Sequence, residues 1–289
     1  MKSIVKILPL ASIILAALAS CSEDETVGQS VNENEIRIEA IHPSQLTRVT
    51  STGFDIGDRI GVFVVPDGAV LQPFGNAVNN GCYTYDGSKW TPSRTYYWNE
   101  GKHNVYAYYP YAGQVNDTET FSFKVATDQS TAEEYSASDF LWAKAEGQQA
   151  GTSPVSLKFS HVMSRALVEI VKGDDYEGDL PEDMTVFLHN TVTTANVDLA
   201  AGGSCKDAHA GAESIRMQKL SGNLFAAIVV PQNISTRRPL VEVIMGNVSY
   251  LMEGTMSFKQ GFQHTITVTV TENPQQAEIN IGGGIGNWN

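Results

Sequence analysis

The rhythm of the apolar residues constrains this chain most. Beyond Ile36 they come in short runs rich in Val, Ile, Thr, Tyr and Phe, each closed by Gly, Pro, Asn or Asp. The clearest runs cover 36–40, 59–65, 105–109, 121–125, 155–159, 166–171, 185–188, 224–230, 240–245 and 265–270. Only 131–138 reads as a helical turn. Strands at this spacing, with no helices to make parallel crossovers, predict an all-β chain of two tandem antiparallel sandwiches. The longest polar, glycine-containing break is 146–154, so the expected domains are 35–154 and 155–289, the second ending in a terminal strand. No internal repeat of fixed period is visible.

The first twenty residues follow a different logic. Lys2 and Lys6 precede an apolar stretch over 7–19, which ends in Leu18-Ala19-Ser20-Cys21. A positive start, a short apolar stretch and a small-residue cleavage site make a secretory signal. The cysteine at its end makes it a lipoprotein signal, cut before Cys21 and lipidated there. A membrane-spanning helix needs about 20 apolar residues, and this run is shorter and followed directly by Ser22-Glu23-Asp24-Glu25. Residues 21–34 are polar without periodicity, as a flexible tether would be.

Charge and cysteine usage narrow the function classes. The chain has 19 Lys and Arg against 32 Asp and Glu, and losing the two signal lysines takes the formal charge from −13 to −15. That surface argues against nucleic acid or an anionic membrane face as a partner. With Cys21 assigned to lipid, Cys82 and Cys205 remain, too far apart in sequence for a disulfide framework. Both are expected to be free and buried or half-buried. The six histidines (42, 103, 161, 189, 209 and 264) show no metal-binding spacing, so no metal or cofactor is expected. His161 lies near Ser160 and Ser164, but no nucleophile-elbow motif surrounds it, and a satisfied histidine between domains is the better reading. Asp174, Asp175, Glu177 and Asp179 gather in a glycine-flanked segment that fits no EF-hand loop and reads as a solvated turn. No catalytic centre emerges.

Several phrases, in order, carry a resemblance. They are Phe54-Asp55-Ile56-Gly57-Asp58-Arg59-Ile60-Gly61-Val62, Tyr106-Ala107-Tyr108-Tyr109-Pro110-Tyr111, Thr127-Asp128-Gln129-Ser130, Ser138-Asp139-Phe140-Leu141-Trp142-Ala143 and 157–167, with a closing Trp288. The ordered set resembles the fimbrillin family, the subunits of type V pili. The resemblance implies two transthyretin-like β-sandwich domains and export as a lipoprotein. It also implies assembly with other fimbrillin subunits into a surface filament that supports adhesion or biofilm formation. Taken alone, the phrases encode turns and strands: Gly57-Asp58 delivers a strand, and Tyr106 and Tyr108 share one sheet face.

The resemblance further implies assembly by strand exchange, in which an arginine-specific protease removes the first strand and a neighbour's strand refills the groove. Arg48 follows the 36–40 strand and is the matching cleavage position; cutting there would release the lipid at Cys21 and the strand carrying Ile36, Ile38 and Ala40 together. Until then the lipid would tie the subunit to the outer membrane. At the other end, Ala277, Ile279 and Ile281 alternate with Glu278 and Asn280 at matching spacing, followed by three glycines. This segment could be the donor strand, or could close the sheet of its own domain with Trp288 tucked in. The aromatic group Trp90, Tyr96, Tyr97 and Trp98 raises an alternative, a surface glycan-binding module, if those rings form an exposed platform.

Overall fold

The computed structural model describes residues 32–43, 53–273 and 277–288. Among them the chain forms twenty strands and one short helix. The first half contains β1 (Ile38–Ile41), β2 (Arg59–Pro66), β3 (Val78–Tyr85), β4 (Trp90–Pro92), β5 (His103–Tyr109), β6 (Phe121–Lys124), α1 (Ala132–Ala137) and β7 (Leu141–Gln148). There follow β8 (Val155–Lys158), β9 (Ser160–His161), β10 (Ser164–Lys172), β11 (Thr185–Val192), β12 (Thr194–Asp198), β13 (Gly203–Lys206) and β14 (Ala212–Arg216). The last are β15 (Gln218–Ser221), β16 (Leu224–Val229), β17 (Gln232–Met245), β18 (Val248–Phe258), β19 (Phe262–Val270) and β20 (Glu278–Asn287). Every run singled out above overlaps a strand, although in the first of them the strand begins only at Ile38, and α1 forms where the helical turn was expected. Thr131 caps it by accepting a hydrogen bond from the Glu134 backbone N–H at 3.3 Å.

The strands build a six-stranded sheet (β4-β3-β2-β5-β7-β9), a four-stranded sheet (β14-β11-β17-β18) and a five-stranded sheet (β15-β16-β10-β19-β20). Two smaller sheets, β1-β8 and β13-β12-β6, complete the set. The six-stranded sheet is apolar on both faces. Ile60, Val62 and Val64 of β2 enter a smaller core with Val105, Ala107 and Leu141, whereas Phe63 and Val65 join Tyr106 and Tyr108 in a larger one. That two-sided burial is why β2 reads as the unbroken run Ile-Gly-Val-Phe-Val-Val rather than as an alternation.

The expectation of purely antiparallel sandwiches is corrected at two places. β1 pairs parallel with β8, and β10 pairs parallel with β19. A parallel pair needs a long crossover, which is usually a helix. Here the crossover from β10 to β19 is made of strands, since the chain between them builds the four-stranded sheet as well as β15 and β16. Three strand pairings also span position 154: β1 with β8, β6 with β12, and β7 with β9.

Candidate functional site: the two terminal strands

The N-terminal strand segment lies between two neighbours. On one side the Ile36 N–H donates to the Tyr96 carbonyl at 2.9 Å and the Trp98 N–H to that of Asn34 at 2.9 Å. On the other, the Val155 N–H donates to the Arg37 carbonyl at 2.8 Å and that of Phe159 to Ile41 at 3.0 Å. Even-numbered residues face one neighbour and odd-numbered residues the other, as an extended backbone requires. Withdrawing the segment would therefore unpair backbone groups on both sides at once.

The same segment fills the smaller core. Ile36 is 0% exposed and Ile38 6%, packed with Ile60, Val62, Tyr83, Trp90, Trp98 and Leu157; Ala40 is half-buried at the edge. Each fully buried isoleucine contributes roughly 1.5–3 kcal/mol. The buried Tyr83 hydroxyl donates to the Ile36 carbonyl at 3.1 Å, and burial pushes its pKa above the ordinary tyrosine range. Arg37 donates to the Gly151 carbonyl at 3.0 Å, which ties the segment to the 146–154 break. Cys21 and Arg48 lie outside the described residues.

Just past β1, the His42 ring meets Phe54 edge-on at 5.0 Å and His161 edge-on at 6.2 Å. Burial lowers the His42 pKa to about 4, against the opposing pull of Asp139. His161 is buried, and its Nδ1 lies 2.9 Å from an Asp139 carboxylate oxygen. Neither nearby serine engages it: the Ser160 hydroxyl donates to the Trp142 carbonyl at 3.3 Å and that of Ser164 to Phe262 at 3.2 Å.

The C-terminal strand reaches the same place. β20 pairs antiparallel with β19 at the edge of the five-stranded sheet, with breaks in register between His264 and Thr265 and between Thr265 and Thr267. Ala277, Ile279, Ile281 and Trp288 are partly buried against the larger core. Trp288 lies flat on His161, with ring centroids 3.8 Å apart and planes 6° apart, and Arg165 approaches the indole at 5.9 Å. Its backbone N–H donates to the Gly261 carbonyl at 2.9 Å.

The seats under β20 were not legible beforehand, although one left a trace. On β18 inward and outward residues alternate strictly, and Gly254 falls on an inward position between Met252 and Met256. A glycine inside a strand marks a close approach, and here it is Ile281 that approaches. His42 and Asp139 carried no such mark.

The remaining candidates are simply placed. Trp90 and Trp98 are buried, Tyr96 stacks on Tyr83, and Tyr97 of this group is exposed, so the four rings form no common platform. Cys82 and Cys205 are unbridged. Cys205 is exposed rather than buried, because β13 is an edge strand of its three-stranded sheet.

A family model described as fimbrillin-like matches residues 47–288. A protein of Bacteroides ovatus named as a candidate fimbrium tip subunit is 28% identical over 214 residues, 64% of this chain and 39% of the relative. The chain thus spans well under half the length of that relative. Among solved structures, a candidate cell adhesion protein from Bacteroides ovatus superposes with a TM-score of 0.69 at 20% identity, covering 88% of this chain and 97% of the other. A similar protein from Bacteroides uniformis gives 0.68 at 18% identity, with 88% and 98% covered. A fimbrial protein from Bacteroides ovatus gives 0.53 at 19%, covering 82% of this chain and 50% of that one. At these identities the likeness concerns the fold.

Proposed function

This chain belongs to the fimbrillin-like family, and from that premise we propose that it is a structural or accessory subunit of a bacterial surface fimbrium. It is exported as a lipoprotein through Cys21, held first at the outer membrane, and joined to neighbouring fimbrillin subunits by exchange of a terminal strand. The protease cut falls after Arg48. No catalytic role is proposed, since subunits of this family serve as structural parts. We also read the folded part as two tandem transthyretin-like sandwiches, 35–154 and 155–289, as the family resemblance implies, although each apolar core draws residues from both sides of 154.

One observation carries this reading. The segment that the cut would free is paired along both sides and holds two isoleucines in the smaller core. Its loss opens a groove with unpaired backbone and bare apolar surface together, which an added strand satisfies through main-chain hydrogen bonds and alternate side-chain pockets. The candidate donor, β20, lies at a sheet edge with an interrupted ladder. The adhesion role follows the names of the similar proteins, and the tip position belongs to the relative named for it.

The test is limited digestion of the purified protein with an arginine-specific protease, followed by intact mass and electron microscopy. A single cut after Arg48 that yields filaments supports the reading. A cut chain that stays monomeric alone and with other fimbrillin subunits would overturn it.

A further inference from the structure

The two terminal strands meet at one side chain. Trp288, at the end of β20, stacks on one face of His161, and His42, at the end of β1, meets the same ring edge-on. From His42 the contacts continue to Phe54, and from Phe54 to Trp90, Tyr109 and Phe159 around the groove of β1. Asp139 fixes the His161 ring through Nδ1, and Arg165 stands over the indole.

We propose that His161 couples the two terminal strands, so that departure of β1 loosens β20 and departure of β20 loosens β1. With β1 in place, His42 packs perpendicular to the His161 ring and Asp139 holds its plane, which keeps the ring flat beneath Trp288. When His42 leaves, His161 gains water and rotational freedom, and the stack that closes β20 weakens. The β20 ladder is interrupted between Ile285 and Gly283 and again between Gly283 and Asn280, beside the seat of Ile281 on Gly254, so the strand is held in separate stretches and not by one continuous ladder. Coupling of this kind is reciprocal by thermodynamic necessity. Its biological meaning rests on the strand-exchange reading: a subunit would keep its C-terminal strand folded back until its N-terminal strand is gone.

The experiment is hydrogen–deuterium exchange with peptide resolution on the full chain at fixed pH. It compares the wild type, His42→Ala, Trp288→Ala and the double variant, with β17 as an internal reference. We expect His42→Ala to raise exchange in β20, and Trp288→Ala to raise it in 36–41, each roughly three- to tenfold. The double variant should show less than the product of the single effects, and β17 should stay unchanged. In a His161→Leu background, which keeps the ring site filled, His42→Ala should no longer affect β20. Effects confined to each variant's own strand, effects that multiply, or an equal rise in β17 would each overturn the proposal. All of this is read on the monomer. Failure to polymerise after cleavage would sink the fimbrium reading and leave the coupling standing, and the reverse combination is equally readable.

Discussion

Ile281 of β20 occupies the space that a side chain at Gly254 of β18 would need; a Cβ there would lie 2.5 Å from the Ile281 Cδ1. Tyr250, Met252, Met256 and Phe258 point inward on either side of that gap. The C-terminal strand is therefore seated in a slot built by the absence of a side chain.

Gly254→Ala should push Ile281 outward and loosen β20, while Leu240 of β17, 3.1 Å from the added Cβ, needs to give by only a few tenths of an ångström. Overpacking of this kind costs about 1–3 kcal/mol, visible as a lower urea midpoint and faster exchange in β20. An unchanged midpoint with unchanged exchange would mean that Ile281 does not depend on the slot.

Ile36 and Glu39 sit on one segment, one fully buried and one exposed. Ile36→Ala should cost roughly 2–5 kcal/mol, as large-to-small core substitutions do. Glu39→Ala should stay within about 0.5 kcal/mol. Equal midpoints in chemical denaturation would show that the N-terminal segment is not part of the cooperative fold.

The pH dependence near β1 has a definite sign. His42 has a pKa of about 4 in the fold against 6.5 when solvated, chiefly through burial. Above pH 6.5 the ring is neutral in both states and stability is unaffected. As pH falls from 6.5 towards 4 the unfolded chain takes up the proton first, so stability is lost across that window. Asp139 and Asp55 favour the proton on His42 and His161 opposes it, with burial the largest cause. Between pH 7 and 4 the wild type should lose about 3 kcal/mol more than His42→Gln. Equal losses in the two proteins would remove His42 from the account.

Cys205 is exposed and Cys82 half-buried, with no bridge between them. A thiol reagent applied to the native protein should modify Cys205 first and Cys82 with a marked delay, as peptide mapping would show. Simultaneous modification would mean that β3 opens as readily as the edge strand β13.

The sequence by itself determined that this is a β chain and where its strongest strands lie, because period-two patterning and turn residues are local signals. It marked α1 through Thr131 and the acidic first turn, and it marked the two segments, around Ile36 and Ile279, that lie at the ends of the fold. Pairing was a different matter. That β1 lies parallel to β8, and that β20 returns to β19, depends on partners more than a hundred residues away in the first case and on competition between sheets in the second. No periodicity states whose edge a strand will join. Strands such as β3, β7 and β12 carry too many polar or glycine residues to stand out, and are held by neighbours already in place. The meeting of His42, His161 and Trp288 was likewise decided only by tertiary structure. Each is an ordinary residue in its own segment, and its role comes from the ring packed against it.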